Sequence, residues 1–303
     1  MSKLGLALGG GGARGLAHIG VLKALENERI EITAITGCSM GAIIGGLYAY
    51  YGDAAKVEKH VFSTLHDPVF LELPLEELKE DKLNSEKGYL DQFWDYIGFR
   101  IQAIKSLSSI SFFDQETTDG IFSQLPEEKI ENLKIKFSAI ATDLLSGEEI
   151  NFTRGNLREV LRASAAIPGI FPPVQIKNYY LIDGSASESV PVGKVREIGA
   201  DRVLAIDVTR CIKRINKPVN IVDVLNRAGD ISSFHLSKSR LKEADLVINP
   251  EVSKLTWADF DKAGAIIRRG ERAVYENIEE IRKLANRNSY LLEIEQYIKK
   301  LKS

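Results

Sequence analysis

The first fifty residues alternate between short apolar runs and glycine-rich turns. Residues 3–8 (KLGLAL) form an apolar run that ends at a cluster of glycines, which is typical of a buried parallel strand. Residues 14–28 predict a helix that is apolar around most of its circumference, and residues 31–36 (EITAIT) predict a second strand. A second apolar helix follows at residues 42–51. This order of strands and helices predicts a parallel sheet with right-handed crossover connections.

The rest of the chain continues the sheet after a less regular stretch. Residues 53–130 mix helical and irregular segments, and we expect a helical insertion that covers one face of a site. Further strands are predicted at residues 136–144, 148–155, 178–185, 201–208 and 245–250. The final segment, about 254–303, is predicted to be helical with an N-cap at Thr256. No linker divides the chain, so we expect a single domain over residues 1–303.

Composition and charge narrow the possible functions. The 303 residues are 44% hydrophobic and carry a net charge of −2, so no overall basic field attracts nucleic acid or an anionic membrane. Cys38, Cys211 and four scattered histidines form neither a disulfide framework nor a zinc-ligand pattern, and we expect no metal and no cofactor.

Localisation follows from the same patterns. No apolar run approaches the roughly 20 residues that cross a bilayer, and the N-terminal residues do not resemble a signal peptide. We therefore expect a cytoplasmic protein whose membrane contact, if any, is peripheral. The pattern carries no indication of an oligomeric state.

The segment Gly37-Cys38-Ser39-Met40-Gly41 matches the G-x-S-x-G nucleophile elbow. An apolar strand leads into it and an apolar helix leads out of it, which is the context that this motif requires. The glycines let the chain turn sharply, and the helix N-terminus behind the serine favours developing negative charge. Ser39 is therefore a candidate nucleophile. The alternative is an ordinary Gly-Ser turn between a strand and a helix.

A glycine loop at residues 9–15 (GGGGARG) precedes the first helix. It contains G-x-G-x-x-G, which is also the pattern of dinucleotide binding, but that function needs an acidic residue about twenty positions later. The second strand instead ends in Ile35-Thr36 and leads directly into the serine motif. The alternative role of such a loop is to point backbone N–H groups at an oxyanion. Arg14 would add positive charge, tether the loop by a buried ion pair, or remain solvated.

Asp183 ends another apolar strand (YYLID) and is followed by Gly184 and Ser185. A serine nucleophile needs a base, and in the order Ser, acid, His only His235 follows this aspartate. His235 lies in a polar helical stretch, and His18 is expected to be a packed helical residue. Direct proton acceptance by Asp183 is therefore the simpler hypothesis. The alternative for Asp183 is a turn-capping role.

Taken together, these motifs resemble the patatin-like phospholipase family. GGGGARG, GCSMG, RASAAIPGIFPPV and LIDGS occur in the family's order, with ATDLLSGE at 141–148, between residue 3 and about residue 210. The resemblance implies a three-layer α/β/α sandwich with a mainly parallel central sheet and a nucleophile elbow after the second strand. It implies Ser39 as nucleophile and Asp183 as base, without a catalytic histidine. The implied oxyanion donors are Gly10, Gly11 and Gly12. The implied supporting residues are Arg14, Gly37, Gly41 and Gly184.

The same resemblance implies a serine acyl hydrolase that cleaves carboxylic esters of lipids through an acyl-enzyme, as a phospholipase A, lysophospholipase or esterase. Ser185 departs from the family's D-G-[GA] pattern, and its hydroxyl would change the basicity of Asp183 by hydrogen bonding. The alternative is a weakly active or non-catalytic regulatory protein on the same scaffold. Apolar groups of the insertion, at residues 69–71, 73–75 and 112–113, would pack on the core or contact lipid.

Overall fold

The computed structural model describes residues 3–74, 109–209, 212 and 221–286. The strands in these ranges are β1 (Leu4–Leu8), β2 (Ala34–Cys38), β3 (Lys136–Asp143), β4 (Glu149–Phe152), β5 (Val174–Ile176), β6 (Tyr179–Asp183), β7 (Arg202–Ile206) and β8 (Leu246–Ile248). They form one sheet in the order β5-β6-β3-β2-β1-β7-β8, and β4 pairs with β3 outside this path.

Helices connect and cover the strands. They are α1 (Ala17–Asn27), α2 (Met40–Tyr51), α3 (Ala54–Leu65), α4 (Pro68–Leu71), α5 (Gln115–Phe122), α6 (Leu157–Ser164), α7 (Val192–Glu197), α8 (Ile221–Leu241), α9 (Ala263–Glu276) and α10 (Ile278–Asn286). Short 3₁₀ turns occur at Gly12–Leu16, Ile130–Asn132, Gly184–Ala186 and Phe260–Lys262. None of the helices in the described ranges is long and apolar enough to cross a membrane.

The sheet is mainly parallel and is covered on both faces. β1, β2, β3, β7 and β8 run parallel to one another, whereas β4 and β6 are antiparallel to β3, and β5 to β6. Successive side chains of a strand point to opposite faces. Accordingly Leu6 and Leu8 belong to the large core cluster with α1 and α2, while Ala7 packs with Val192 and Val195 of α7. The predicted three-layer α/β/α fold is confirmed.

The longest strand, β3, has two partners on one edge. β2 pairs with residues 136–140 of β3, and β6 pairs with residues 141–143. β4 overlaps both of these ranges at residues 139–142, so it must occupy the opposite edge. β2 and β6 therefore meet end to end. This brings Cys38, the last residue of β2, next to Asp183, the last residue of β6.

The sequence predicts most of these strands and helices, but some of the predictions are wrong. β2 begins at Ala34 and reaches Cys38, later than the predicted residues 31–36, because Glu31 is exposed and precedes the sheet. β5 was not predicted. The predicted N-cap at Thr256 is wrong, since α9 begins at Ala263.

The cause of the Thr256 error is local. The backbone N–H of Thr256 donates to the carboxylate of Asp259, which closes a turn before the chain reaches the helix. Of the predicted insertion, residues 75–108 lie outside the described residues, and so do residues 287–303 of the C-terminal segment.

Candidate active site

Ser39 is the one residue between β2 and α2, and its backbone is strained. Its φ of 52° and ψ of −123° lie in a region that residues with a side chain rarely adopt. Its N–H donates to Oγ of buried Ser164 at 3.0 Å. Its carbonyl accepts from the N–H groups of Ala42 and Ile43 at 2.9 and 3.0 Å. Hydrogen bonds on both sides of the residue thus hold the strained conformation.

Two glycines flank this corner because neither position has room for a side chain. A Cβ at Gly37 would overlap the backbone of Ala42, and a Cβ at Gly41 would overlap the carbonyl oxygen of Leu8. The end of β2, the first turn of α2 and the end of β1 are therefore in direct backbone contact. This packing leaves Ser39 at the carboxyl edge of the parallel strands, where such sheets present functional side chains.

Asp183 lies beside Ser39 and is buried, with 2% of its surface exposed. Burial raises the pKa of Asp183 above its ordinary value, and hydrogen bonds from Ser39, Ser185 and Cys38 oppose this rise. The Cys38 thiol lies 3.8 Å from Oδ1 of Asp183. Burial and the charge of Asp183 raise the pKa of Cys38, so this thiol donates as neutral S–H. A carboxylate with a raised pKa is a stronger base for a hydroxyl proton.

Ser185 and Gly184 shape the turn that follows Asp183. The Ser185 N–H donates to Oδ1 of Asp183 at 2.8 Å, and the Ser185 side chain also hydrogen-bonds this carboxyl and lowers its pKa. The effect on basicity that the sequence suggested is therefore present. A Cβ at Gly184 would lie 2.6 Å from the carbonyl oxygen of Ile140, so this turn packs against β3.

The glycine loop passes directly beside Ser39. A Cβ at Gly10 would lie 3.2 Å from Cβ of Ser39, but the Gly10 N–H donates to the carbonyl of Ser189 at 2.9 Å. Gly10 is therefore not free to donate to an oxyanion in this conformation. The N–H groups of Gly11 and Gly12 make no hydrogen bond within the described part of the chain. Of the three predicted donors, these two remain available.

Arg14 tethers the glycine loop to later parts of the chain. Its Nε donates to the carbonyl of Val208 at 3.1 Å, and its Nη1 donates to the carbonyl of Leu255 at 3.2 Å. The side chain is half-buried. Among the roles considered from the sequence, the structure favours the tether over a solvated side chain.

The histidines have other partners. His18 is buried, and its Nε2 lies 2.8 Å from the carbonyl oxygen of Gly9. Burial lowers the pKa of His18 to about 4, so it is neutral at physiological pH. His60 hydrogen-bonds Tyr51 through Nδ1, and His235 is exposed on α8. None of them hydrogen-bonds Ser39 or Asp183. Nor do any three His, Cys, Asp or Glu side chains in the described ranges group as metal ligands.

An apolar pocket of about 930 Å³, including open solvent at its mouth, has Ser39 among its lining residues. Its walls come from α2, from helices α3–α5 of the insertion, and from residues after α6 and before α9. The apolar side chains that line it include Met40, Ile43, Leu47, Val61, Leu65, Phe70, Phe113, Ile121, Phe122, Phe171, Trp257 and Phe260. Such a cavity suits a long hydrocarbon chain with its polar end at Ser39.

Phe113 of the insertion lines this pocket. It is buried, and its ring stacks on that of Phe171 at a centroid distance of 5.4 Å. Phe113 therefore packs inside the protein, and its contact with an acyl chain stays a prediction. The exposed apolar side chains nearby are Leu71 and Ile110, with 65% and 67% of their surface exposed.

Sequence reasoning missed two parts of the site. Ser164, which holds the Ser39 N–H, lies in the RASAA segment that was used only as a family motif. The segment Leu255–Phe260 contributes Trp257 and Phe260 to the pocket and carries no motif at all. Its part in the site depends on contacts between distant residues, which local patterns do not contain.

Comparisons with known proteins cover between about two thirds and nine tenths of the chain. A family model described as patatin-like phospholipase matches residues 6–195. An uncharacterized NTE family protein of Mycobacterium tuberculosis is 31% identical over 208 residues, which are 68% of this chain and 49% of that protein. Lysophospholipase nte1 of Emericella nidulans is 30% identical over 206 residues, which are 68% of this chain and 12% of that protein.

Among solved structures, the crystal structure of VipD from Legionella pneumophila matches with a TM-score of 0.46 and 15% identity, over 92% of this chain and 67% of that one. The chain spans about half or less of the length of the curated relatives described above.

Proposed function

Because the chain belongs to the patatin-like phospholipase family, we propose that it is a lipid acyl hydrolase that cleaves carboxylic esters with a Ser39–Asp183 dyad. One observation carries the proposal. Ser39 sits on a strained strand-to-helix corner beside the buried carboxyl of Asp183, and it lines an apolar pocket. The name lysophospholipase of several relatives agrees with this substrate class.

The proposed reaction has two stages. In the first, Oγ of Ser39 attacks the ester carbonyl carbon while Asp183 accepts the hydroxyl proton, and the N–H groups of Gly11 and Gly12 stabilise the oxyanion. The tetrahedral intermediate collapses, the C–O bond to the alcohol breaks, and the alcohol takes the proton from Asp183. In the second stage water attacks the acyl-enzyme, Asp183 accepts a water proton and returns it to Ser39, and the carboxylic acid leaves.

The raised pKa of Asp183 supports its role as the base. An ordinary aspartate is a weak base toward an alcohol, and catalysis is most efficient when the pKa of the base approaches the working pH. Burial shifts the pKa of Asp183 in that direction. The neighbouring Cys38, Ser39 and Ser185 donors keep the carboxylate oriented.

Weak peripheral contact with a lipid surface is part of the proposal. Leu71 is exposed and follows Phe70, which lines the pocket, and Ile110 is exposed three residues before Phe113, which also lines it. Burial of these side chains in a bilayer would drive contact, whereas the net charge of −2 provides no attraction to anionic lipid. We expect binding that depends little on anionic lipid content.

The test is hydrolysis of a lysophospholipid and of a short p-nitrophenyl ester by wild type and by Ser39→Ala. We expect both activities to fall by at least about 10³-fold in the variant, with an unchanged circular dichroism spectrum and Tm. Ser138→Ala, which removes a buried serine hydroxyl from β3, is the matched control and should retain activity. Retention of most activity in folded Ser39→Ala protein would falsify the proposal.

A further inference from the structure

The segment Leu255–Phe260, called here the Trp257 segment, lies beyond residues 6–195 that match the family model. We propose that this segment completes the active site in two ways. Its backbone holds the glycine loop in position, and the side chain of Trp257 contacts the acyl chain and favours long acyl groups over acetyl. The inference rests on the proposed function, because it assigns an acyl ligand to the pocket.

The backbone of the Trp257 segment is bonded directly to the glycine loop. The Ala13 N–H donates to the Trp257 carbonyl at 2.7 Å, and Arg14 Nη1 donates to the Leu255 carbonyl at 3.2 Å. Gly12 has a φ of 55°, and a Cβ there would lie 2.5 Å from the Trp257 carbonyl oxygen. The Trp257 segment, which lies late in the chain, thus helps to fix the position of the free N–H donors of Gly11 and Gly12.

The segment is itself braced by Asp259. This buried carboxylate accepts from the Thr256 N–H at 2.6 Å through one oxygen and from Nζ of Lys262 at 2.8 Å through the other. Burial alone would raise the pKa of Asp259, but these hydrogen bonds lower it below its ordinary value. The brace is therefore ionised and intact at neutral pH.

Helix α9 anchors the segment to the helix that follows the glycine loop. A Cβ at Gly20 of α1 would overlap the carbonyl oxygen of Ile267, and a Cβ at Gly270 would overlap that of Ala17. Two helices this close are in backbone contact, which leaves little freedom for sliding. The loop and the Trp257 segment are therefore fixed to one rigid pair of helices.

The side chains of the segment form one wall of the pocket. Trp257 and Phe260 both line it, and the Phe260 ring meets the Phe70 ring edge to face at 5.3 Å. Cβ of Trp257 lies against Gly12, and Trp257 lines the pocket. A long acyl chain that fills the pocket would contact this side chain, whereas an acetyl group is too short to fill it.

A binding experiment tests this contact without turnover. The chain has two tryptophans, Trp94 and Trp257, so Trp94→Phe leaves Trp257 as the only one. In the double variant Ser39→Ala/Trp94→Phe we expect saturable quenching of tryptophan fluorescence by a long-chain fatty acid brominated along its chain. The unbrominated acid should compete. Absence of quenching would overturn the contact.

A kinetic experiment tests selectivity on p-nitrophenyl esters. We expect Trp257→Ala to lower kcat/KM for the long-chain ester on the order of tenfold, with less effect on the acetyl ester and recovery in Trp257→Phe. Tyr275→Ala, which removes an exposed aromatic ring from α9, is the control and should change neither. Equal losses on both esters would contradict the selectivity role.

Removal of the Asp259 carboxylate tests whether the backbone of the Trp257 segment holds the glycine loop in position. Asp259→Ala should lower kcat on both esters by about 10- to 100-fold, since it misplaces the oxyanion donors. An unchanged kcat would overturn this part. Failure of the proposed function is seen separately, because wild type and Ser39→Ala would then hydrolyse the acetyl ester equally.

Discussion

The bond between the Ser39 N–H and Ser164 Oγ leads to a prediction that separates stability from catalysis. Ser164 is fully buried, and its hydroxyl accepts at 3.0 Å. Ser164→Ala removes the acceptor and leaves the Ser39 N–H without a partner in a dry environment. A buried N–H in that state costs about 1–3 kcal/mol. The free energy of unfolding should fall by that amount, and Tm by about 2–4 °C for each kcal/mol.

The same change should affect kcat, because the strained backbone of Ser39 costs about 1–3 kcal/mol and persists only when its surroundings enforce it. Without the Ser164 hydroxyl, Ser39 can relax and its Oγ moves relative to Asp183. A displacement of about 1 Å can reduce the rate by about 10²-fold. We expect kcat to fall by about 10- to 100-fold with little change in KM.

The control is Ser138→Ala. Ser138 is equally buried, and its hydroxyl pairs with Thr36 Oγ1 at 2.8 Å between β2 and β3. This variant should lose a similar amount of stability, measured by urea and thermal unfolding, and should retain kcat. Unchanged kcat in Ser164→Ala, or an equal loss of kcat in both variants, would refute the reasoning.

Three further predictions concern the dyad and the loop. Gly11→Ala crowds Val208, whose Cγ2 and carbonyl oxygen would lie 3.1 and 3.2 Å from the new Cβ; displacement of this N–H donor should lower kcat by about 10²- to 10³-fold, whereas Gly229→Ala, with open space around it, should not. Asp183→Asn should be nearly inactive yet more stable at neutral pH: the folded-state pKa is raised, so ionised Asp183 destabilises the fold at high pH and not below its unfolded pKa. Thermal melts at acid and neutral pH check this sign, and equal Tm gains at both would contradict it. The acid limb of kcat/KM should have its midpoint above the ordinary aspartate value of 3.8, and a midpoint at or below it would exclude Asp183 as the base.

Features that depend on neighbouring residues could be predicted from the sequence. The elbow around Ser39 is a strand, a glycine–serine–glycine turn and a helix in direct succession, so its pattern is complete within about twenty residues. The parallel arrangement of the first strands followed from the alternation of strands and helices. The approach of Asp183 to Ser39 could be inferred only indirectly, from the lack of a suitable histidine and from the family resemblance, because it depends on β2 and β6 sharing one edge of β3.

Other features depend on competition that a local pattern does not contain. Thr256 has the residue type of an N-cap, but the Asp259 carboxylate binds its N–H and the helix starts later. Gly10 is a second case. Gly10, Gly11 and Gly12 look equivalent in the sequence, and only the position of the Ser189 carbonyl, which accepts from the Gly10 N–H, distinguishes Gly10 from the other two. The first outcome depends on a carboxylate three residues later, and the second depends on a tertiary contact.

The central claim is that Ser39 is the nucleophile, and covalent trapping tests it most directly. A fluorophosphonate ester should phosphonylate active protein with a single adduct, and peptide mass spectrometry should locate that adduct on Ser39. Ser39→Ala should give no adduct under the same conditions, and Asp183→Asn should react far more slowly than wild type. A protein that hydrolyses esters yet carries its adduct on another residue, or that labels equally after Ser39→Ala, would contradict the account.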